Sequence, residues 1–148
     1  MLTPSCSPSH SCVMQLYVVG FVFDHAREHV MLVRKRRPIF QVGLLNGVGG
    51  KVESYETSHA AMVRECAEES GLQISDWLHV ASVCSQTYQI DVWATVCDLS
   101  GAKTLTDEQI EIHSVHDVFK LPSLRNLPML LAIARDMSDS HKPIWIYE

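Results

Sequence analysis

Apolar residues crowd positions 15–24 (QLYVVGFVFD) without a helical period, and the run is rich in β-branched and aromatic side chains, which predicts a buried strand. A polar break at 24–28 and a second apolar run at 29–33 complete a hairpin. Residues 46–50 (NGVGG) carry too much glycine for an ordinary strand interior; such a segment lets a backbone come close to another group, or holds carbonyls at unusual angles. Residues 51–53 extend it as strand. Thr57 then offers an N-cap for a helix running to about Ser70, with Gly71 placed to end it. Ala60, Val63 and Ala67, with Cys66 beside them, supply the apolar positions of that helix. Two further strands are expected over 77–86 and 88–97, a polar loop over 99–108 and a strand over 111–115. A final helix is expected over 124–137, with its apolar period on Leu127, Leu130, Leu131 and Ala134. The order β-β-β-α-β-β-β-α is that of an α/β chain, a mixed sheet with helices on its faces.

The bulk figures narrow this further. A chain of 148 residues that is 47% hydrophobic and 20% charged has material for one core and is too apolar for disorder. Residues 1–12 (MLTPSCSPSHSC), rich in Ser and Pro and lacking a basic start before an apolar run, are expected to be a flexible arm, leaving 13–148 as one domain. No apolar stretch approaches the roughly 20 residues a bilayer requires, so no membrane partner is expected. With 17 acidic and 12 basic side chains the formal charge is -5, which does not suit a binder of duplex nucleic acid. Handling phosphates would then require metal ions or a local basic patch. Residues 34–37 (RKRR) are such a run; it is either a solvated face or an electrostatic funnel for an anionic substrate, with Arg36 a candidate contact. The cysteines Cys6, Cys12, Cys66, Cys84 and Cys97 are odd in number and lack the spacing of a zinc knuckle, which fits reduced thiols in a cytoplasmic protein.

The helix over 57–70 carries the chemistry. Glu65, Glu68 and Glu69 stand at i, i+3 and i+4 and share one stripe. Like charges so placed cost a helix about 0.2–0.5 kcal/mol per pair. The cluster persists easily if solvated, and usefully if divalent cations sit on it. Arg64, four residues before Glu68, either orients that carboxylate or makes an ordinary surface ion pair.

Gly50, Glu56, Arg64-Glu65, Glu68-Glu69, Gly71 and the apolar Cys66 and Leu72 fall at the spacing Gly, five residues, Glu, seven residues, Arg-Glu, apolar, any, Glu-Glu, any, Gly, apolar. This pattern resembles the signature box of the Nudix hydrolases, every fixed position included. The resemblance implies an α/β/α sandwich and hydrolysis of a nucleoside diphosphate linked to another group, with Mg²⁺ or Mn²⁺ as cofactor. It implies that Glu65, Glu68 and Glu69 hold the metal, joined by the Gly49 carbonyl, and that one of the last pair also serves as base. Hard divalent cations prefer such oxygen donors. Arg64 and Glu56 are implied to form a supporting ion pair. A later acidic residue often adds a ligand: Glu108, in Thr106-Asp107-Glu108, is the first candidate and Glu111 the second. Many members carry Pro-Gly before the second box glutamate where this chain has Ser54-Tyr55, so the turn must form without glycine.

For the substrate, residues 45–52 (LNGVGGKV) and 90–93 (IDVW) resemble the oxidised-purine nucleoside triphosphate diphosphatases, in which the residue matching Asn46 hydrogen-bonds the base. The late loop of those enzymes, with its acidic and Trp base-reading groups, reads Pro-Ser-Leu-Arg-Asn over 122–126 in this chain. The ADP-ribose branch usually has a Pro some fifteen residues past the box, yet none occurs between Pro38 and Pro122. The dinucleoside polyphosphate branch often has a Tyr near that point, and Tyr88 lies 16 residues after Leu72, as a substrate contact or as wall packing. The expectation is therefore a pyrophosphohydrolase of nucleoside triphosphates, with dinucleoside polyphosphates or ADP-ribose as alternative substrates. A non-catalytic nucleotide sensor is disfavoured because every box glutamate is present. Neither oligomeric state nor the base follows from the sequence.

Overall fold

The computed structural model describes residues 14–136 and 138–148; the arm expected over 1–12 lies outside them. The first strand, β1 (Gln15–Phe23), is the centre of the sheet. Its alternation is strict: Val18 and Val22 enter one core, while Phe21 and Phe23 enter the other. Along its whole length β1 pairs in parallel with β6 (Tyr88–Val96). Its opposite edge is divided between two partners. β2 (His29–Arg34) pairs only at Val22↔Met31 and Phe23↔Val30, and β4 (Val48–Lys51) takes Tyr17 to Gly20. β2 instead runs beside β7 (Gln109–Ser114) and the short β3 (Leu45–Asn46). The chain at 46–48 therefore crosses from one branch of this fork to the other. Beyond β6 the sheet continues with β5 (Leu78–Cys84), antiparallel, and ends at β8 (Ile144–Tyr147), parallel to β5.

Helix α1 (Ser58–Ser70) covers one face and α3 (Leu127–Asp136) the other, which makes the mixed-sheet α/β/α sandwich that was expected. On the α3 side Leu127, Leu130, Leu131 and Ala134 pack on Phe21, Val80 and Val92. On the α1 side Ala61, Met62 and Cys66 pack on Val18, Val22, Met31 and Val48. Of the apolar positions read from the sequence, Cys66 is buried and Val63 packs half-buried on this core, Ala67 is half-buried and Ala60 exposed, while Ala61 and Met62 supply the rest of the contact. Its ends are as expected, with the Thr57 hydroxyl accepting the Ala60 N–H at 3.1 Å and Gly71 closing it at φ 78°. No described helix is long and apolar enough to cross a membrane.

Other boundaries differ for local reasons. β4 stops at Lys51 instead of continuing to residue 53, because Glu56 N–H donates to the Glu53 carbonyl (3.1 Å) and Glu53 N–H donates back to the Glu56 carboxylate (3.0 Å). This reciprocal pair builds the turn over Ser54-Tyr55 without glycine. α3 begins at Leu127, not 124, because Leu45 N–H donates to the Pro122 carbonyl and Leu124 N–H to the Leu45 carbonyl, both at 3.0 Å, holding 122–124 extended against β3. The one-turn helix α2 (Val115–Val118) and the edge strand β8 are additions to the expected order.

The glycine run behaves as a close-approach segment. A Cβ on Gly49 would stand 1.9 Å from the Val18 carbonyl oxygen. Gly49→Ala is therefore expected to destabilise the protein by about 1–3 kcal/mol, the usual cost of overpacking. Urea unfolding of both proteins tests it, and an unchanged midpoint would mean that β4 can shift away from β1.

Candidate active site

Because Met62 and Cys66 anchor α1 in the core, the next positions on that stripe, Glu65 and Glu69, are turned onto the backbone of β4. Glu69 is only 9% exposed, and its Oε1 accepts the Gly49 N–H at 3.2 Å. The Glu65 carboxylate lies so close to Gly50 that an added Cβ would meet Oε1 at 2.5 Å. Glu68 sits at the rim with its side chain 57% exposed. The three carboxylates share one face, at graded depth. Burial pushes Glu69 up to about 8, and the neighbouring Glu65 pushes the same way, opposed by the Gly49 N–H and the Lys35 ammonium. Glu69 is thus the carboxylate that needs a nearby positive charge in order to ionise.

Arg64 holds the approach to this face. Its Nε and Nη2 donate to the two Glu56 oxygens at 3.0 and 2.5 Å, and Nη2 also reaches the Lys51 carbonyl at 3.1 Å. Nη1 donates to Glu65 at 2.9 Å and to Glu68 at 3.3 Å. One guanidinium therefore ties the end of β4, the turn before α1 and two of the three glutamates together. The fork of Arg64 holds Glu56 below the usual carboxylate range.

The basic run at 34–37 is largely paired. Arg34 makes a two-pronged bond to Glu111 (2.7 Å each), Lys35 meets Glu108 at 3.1 Å, and Arg37 pairs with Asp107. Only Arg36 is spared: its backbone N–H donates to Glu108 at 2.6 Å, and its side chain makes no hydrogen bond or ion pair among the described residues. The run is a clamp on residues 107–111 first, with Arg36 left to face solvent. Strand parity separates the two acidic candidates. Ile110 packs into the α1-side core and Glu111 is register partner to Leu32 of the α3-side core. Glu108 therefore falls on the face that carries α1, and Glu111 on the opposite one. Glu108 is 9% exposed; burial works against its charge, but the Arg36 N–H and the Lys35 ammonium hold its carboxyl below the usual range. Lys35 thus stands between Glu108 and Glu69, acting on both.

A cleft of about 530 Å³ opens beside the glycine run, lined by Gly49 and Gly50 together with Asn46, Phe40, Tyr88 and Leu124. Asn46 and Tyr88 are brought together in it, whereas Arg36 is not among its lining residues; its neighbour Lys35 is. The Asn46 Oδ1 accepts the Gly47 N–H at 2.9 Å, and its Nδ2 has no partner among the described residues. The Tyr88 hydroxyl donates to Glu148 at 2.5 Å. Sequence reasoning missed Lys35 as the inward member of the basic run, and Phe40, which is 76% exposed and lines the cleft. The parity of β2 carried the signal for Lys35; Phe40 sits in a single 3₁₀ turn (Ile39–Gln41), too short for a periodicity to mark it. A smaller cleft, about 290 Å³ beside Phe23, Arg27 and Asp76, contains none of the signature residues.

The donor set fits a hard divalent cation. Two carboxylates crowd a backbone that leaves no room for a Cβ, a third stands at the rim of the same face, and burial keeps the inner one from ionising alone. As they stand, no three His, Cys, Asp or Glu side chains among the described residues converge tightly enough to grip an ion. Inward rotation of the exposed Glu68 would supply the third donor.

The family model for the NUDIX domain matches residues 14–137. No curated protein sequence matches the chain. Among solved structures, it is similar to a MutT from work on Aliivibrio salmonicida and Vibrio cholerae (20% identity, 84% of this chain and 100% of that one, TM-score 0.73). It is also similar to the NUDIX domain of Shewanella oneidensis NrtR complexed with ADP ribose (17%, 88% and 92%, 0.75). A Streptococcus suis ADP-ribose pyrophosphatase is a third (18%, 92% and 100%, 0.69). At these identities the likeness is one of fold.

Glu69 sets a pH dependence in the metal-free protein. Its folded-state pKa is raised above the unfolded value, so between about 4.5 and 8 the native state binds more protons and stability falls as pH rises. Glu69→Gln removes this slope. Denaturant unfolding at about pH 5 and pH 8 in the presence of a chelator should show the variant gaining on the wild type at the higher pH. An equal difference at both pH values would contradict the assignment.

Proposed function

The chain belongs to the NUDIX family of hydrolases, and from that premise we propose that it is a Mg²⁺-dependent pyrophosphohydrolase that converts nucleoside triphosphates to monophosphate and pyrophosphate. The observation that carries this reading is the continuity of the cleft: the Gly49-Gly50 backbone that receives Glu69 and Glu65 also lines the space shared by Asn46 and Tyr88. A nucleotide lying along it has its base near Asn46 and its phosphates at the glutamates.

In this reading Glu65, Glu68 and Glu69, with the Gly49 carbonyl, hold Mg²⁺ or Mn²⁺. The bound metal would neutralise phosphate charge and lower the pKa of a water for attack on phosphorus. Arg64 and Glu56 hold the glutamate face in place, a role supported by the fork geometry between them. Glu108, on the α1 face and beside Lys35, is favoured over Glu111 as the extra acidic group, because Glu111 is committed to Arg34 on the other face. Lys35 and Arg36 supply positive charge for the phosphates. Asn46 offers the base its Nδ2 as donor, since its Oδ1 is already engaged with Gly47. The three described cysteines, Cys66, Cys84 and Cys97, are free thiols, in keeping with a cytoplasmic setting.

ADP-ribose is the second reading, favoured by two similar folds described as an ADP-ribose complex and an ADP-ribose pyrophosphatase. Both readings use the same glutamates and differ in what fills the far end of the cleft.

A panel of the common and oxidised dNTPs, ADP-ribose and dinucleoside polyphosphates, assayed with Mg²⁺, separates them. The expected result is turnover led by a nucleoside triphosphate and abolished by chelator, with kcat falling by roughly two orders of magnitude or more in Glu69→Gln, the scale on which removing a group that acts on the transition state is felt. Asn46→Ala should raise KM for the best base and leave poor substrates nearly unchanged. Equal losses on every substrate would make Asn46 a support of the glycine run, and preference for ADP-ribose would give that reading precedence.

A further inference from the structure

We propose that Glu148 is a positioning residue of the nucleoside cleft, clasping its Tyr88 wall to its Leu124 wall and thereby setting how tightly the nucleoside is held; this rests on the nucleotide reading of the cleft. Among the described residues, no backbone hydrogen bond joins the two walls. Residues 122–124 are tied to β3 through Leu45, on the Asn46 side. Tyr88 begins β6, whose ladder partners are β1 and β5. Leu124 and Ile90 of the two walls rest on the same core, and among the described residues it is the Glu148 side chain that hydrogen-bonds to both sides. Glu148 Oε2 accepts the Tyr88 hydroxyl at 2.5 Å and Oε1 accepts the Asn126 amide at 2.8 Å.

Both oxygens of the carboxylate are in use, and bonds to an ionised acceptor are among the stronger ones. The two donors hold Glu148 below the usual carboxylate range, and the same bond raises the Tyr88 phenol. Glu148 is itself fixed, because its N–H donates to the Cys84 carbonyl at 2.9 Å where β8 runs beside β5. It is not among the cleft-lining residues, while Tyr88 and Leu124 are. Its influence therefore runs through the Tyr88 ring. A phenol held at its hydroxyl presents a fixed face to the cleft, and a wall ordered in advance saves the cost of ordering it on binding. The late loop, which lacks acidic and Trp base-reading groups, is in this way still coupled to the nucleoside end, through Asn126 and a carboxylate from the edge strand.

The test uses the full chain as wild type, Glu148→Ala, Glu148→Gln, Tyr88→Phe and the Tyr88→Phe/Glu148→Ala double variant. Steady-state kinetics are measured on the best substrate of the nucleotide panel, and calorimetry follows binding of its nucleoside monophosphate. Glu148→Ala should raise KM and the monophosphate Kd roughly three- to tenfold, the worth of one or two hydrogen bonds, with kcat within about twofold and the Mg²⁺ requirement unmoved. Glu148→Gln, which keeps one acceptor oxygen, should fall between. Tyr88→Phe should match Glu148→Ala, and the double variant should be no worse than the poorer single one, because both break one connection. Unchanged KM and Kd in Glu148→Ala, even with a lowered melting temperature, would overturn the proposal, as would strictly additive effects in the double variant. Should the wild type hydrolyse nothing on the panel, the enzymatic reading falls, and calorimetry on the four common nucleoside monophosphates decides the clasp alone. If none of them binds, both fall.

Discussion

Burial of the Glu69 carboxylate against the Gly49 amide, with Glu65 crowding it, is unfavourable unless something positive offsets it. Much of the surrounding structure is arranged around that demand. Gly49 and Gly50 lack side chains because the Val18 carbonyl and the Glu65 carboxylate occupy the space a Cβ would take. The Glu53–Glu56 turn exists in the form that presents Glu56 to Arg64, and Arg64 in turn spans the glutamate face. Lys35, held by Glu108, lends its charge from the other side. Neither cation is placed to neutralise the inner pair fully, since Arg64 is shared among three carboxylates. The face remains short of positive charge, which is the electrostatic definition of a cation site.

The fork in the sheet gives this arrangement its access. Because β1 hands its edge from β4 to β2 after Gly20, residues 46–48 must bridge the two branches, and the cleft opens along that bridge. Asn46 lies at one end of the bridge and the backbone that meets Glu65 and Glu69 at the other, so the proposed base contact and the proposed metal site share one short stretch of chain. The remaining lining comes from Tyr88, at the start of β6, and from Leu124, held against β3 through Leu45. That is where the edge strand β8 matters, although nothing in its four residues advertised it.

Features set by local rules were legible in the sequence. Thr57 and Gly71 cap α1 as residues of those types should, and the glycine run marked a close approach before the object approached was known. The glutamate stripe was readable from spacing, and the Arg64–Glu56 pairing followed from the resemblance to the signature box. Depth was not. Glu68 and Glu69 are adjacent and chemically identical, and only the rotation of α1 about Met62 and Cys66 decides that one is exposed and the other buried. The basic run could be read only as a solvated face or a funnel, because its partners, Asp107, Glu108 and Glu111, lie some 70 residues away in sequence and meet it through the β2–β7 ladder. β8 was missed because four residues of an edge strand, three of them substantially exposed, leave no alternation to detect.

The proposed metal role of Glu69 requires its raised carboxyl to give up a proton when a divalent cation binds, and proton release on metal binding tests this directly. Titrating the chelator-treated protein with Mg²⁺ or Mn²⁺ at about pH 6.5, in buffers of different ionisation enthalpy, gives the number of protons expelled. About one proton per protein is predicted, since a raised carboxyl must ionise to become a ligand. Binding with no proton release would mean that the inner carboxylate is already ionised without metal, contradicting the role assigned to its burial.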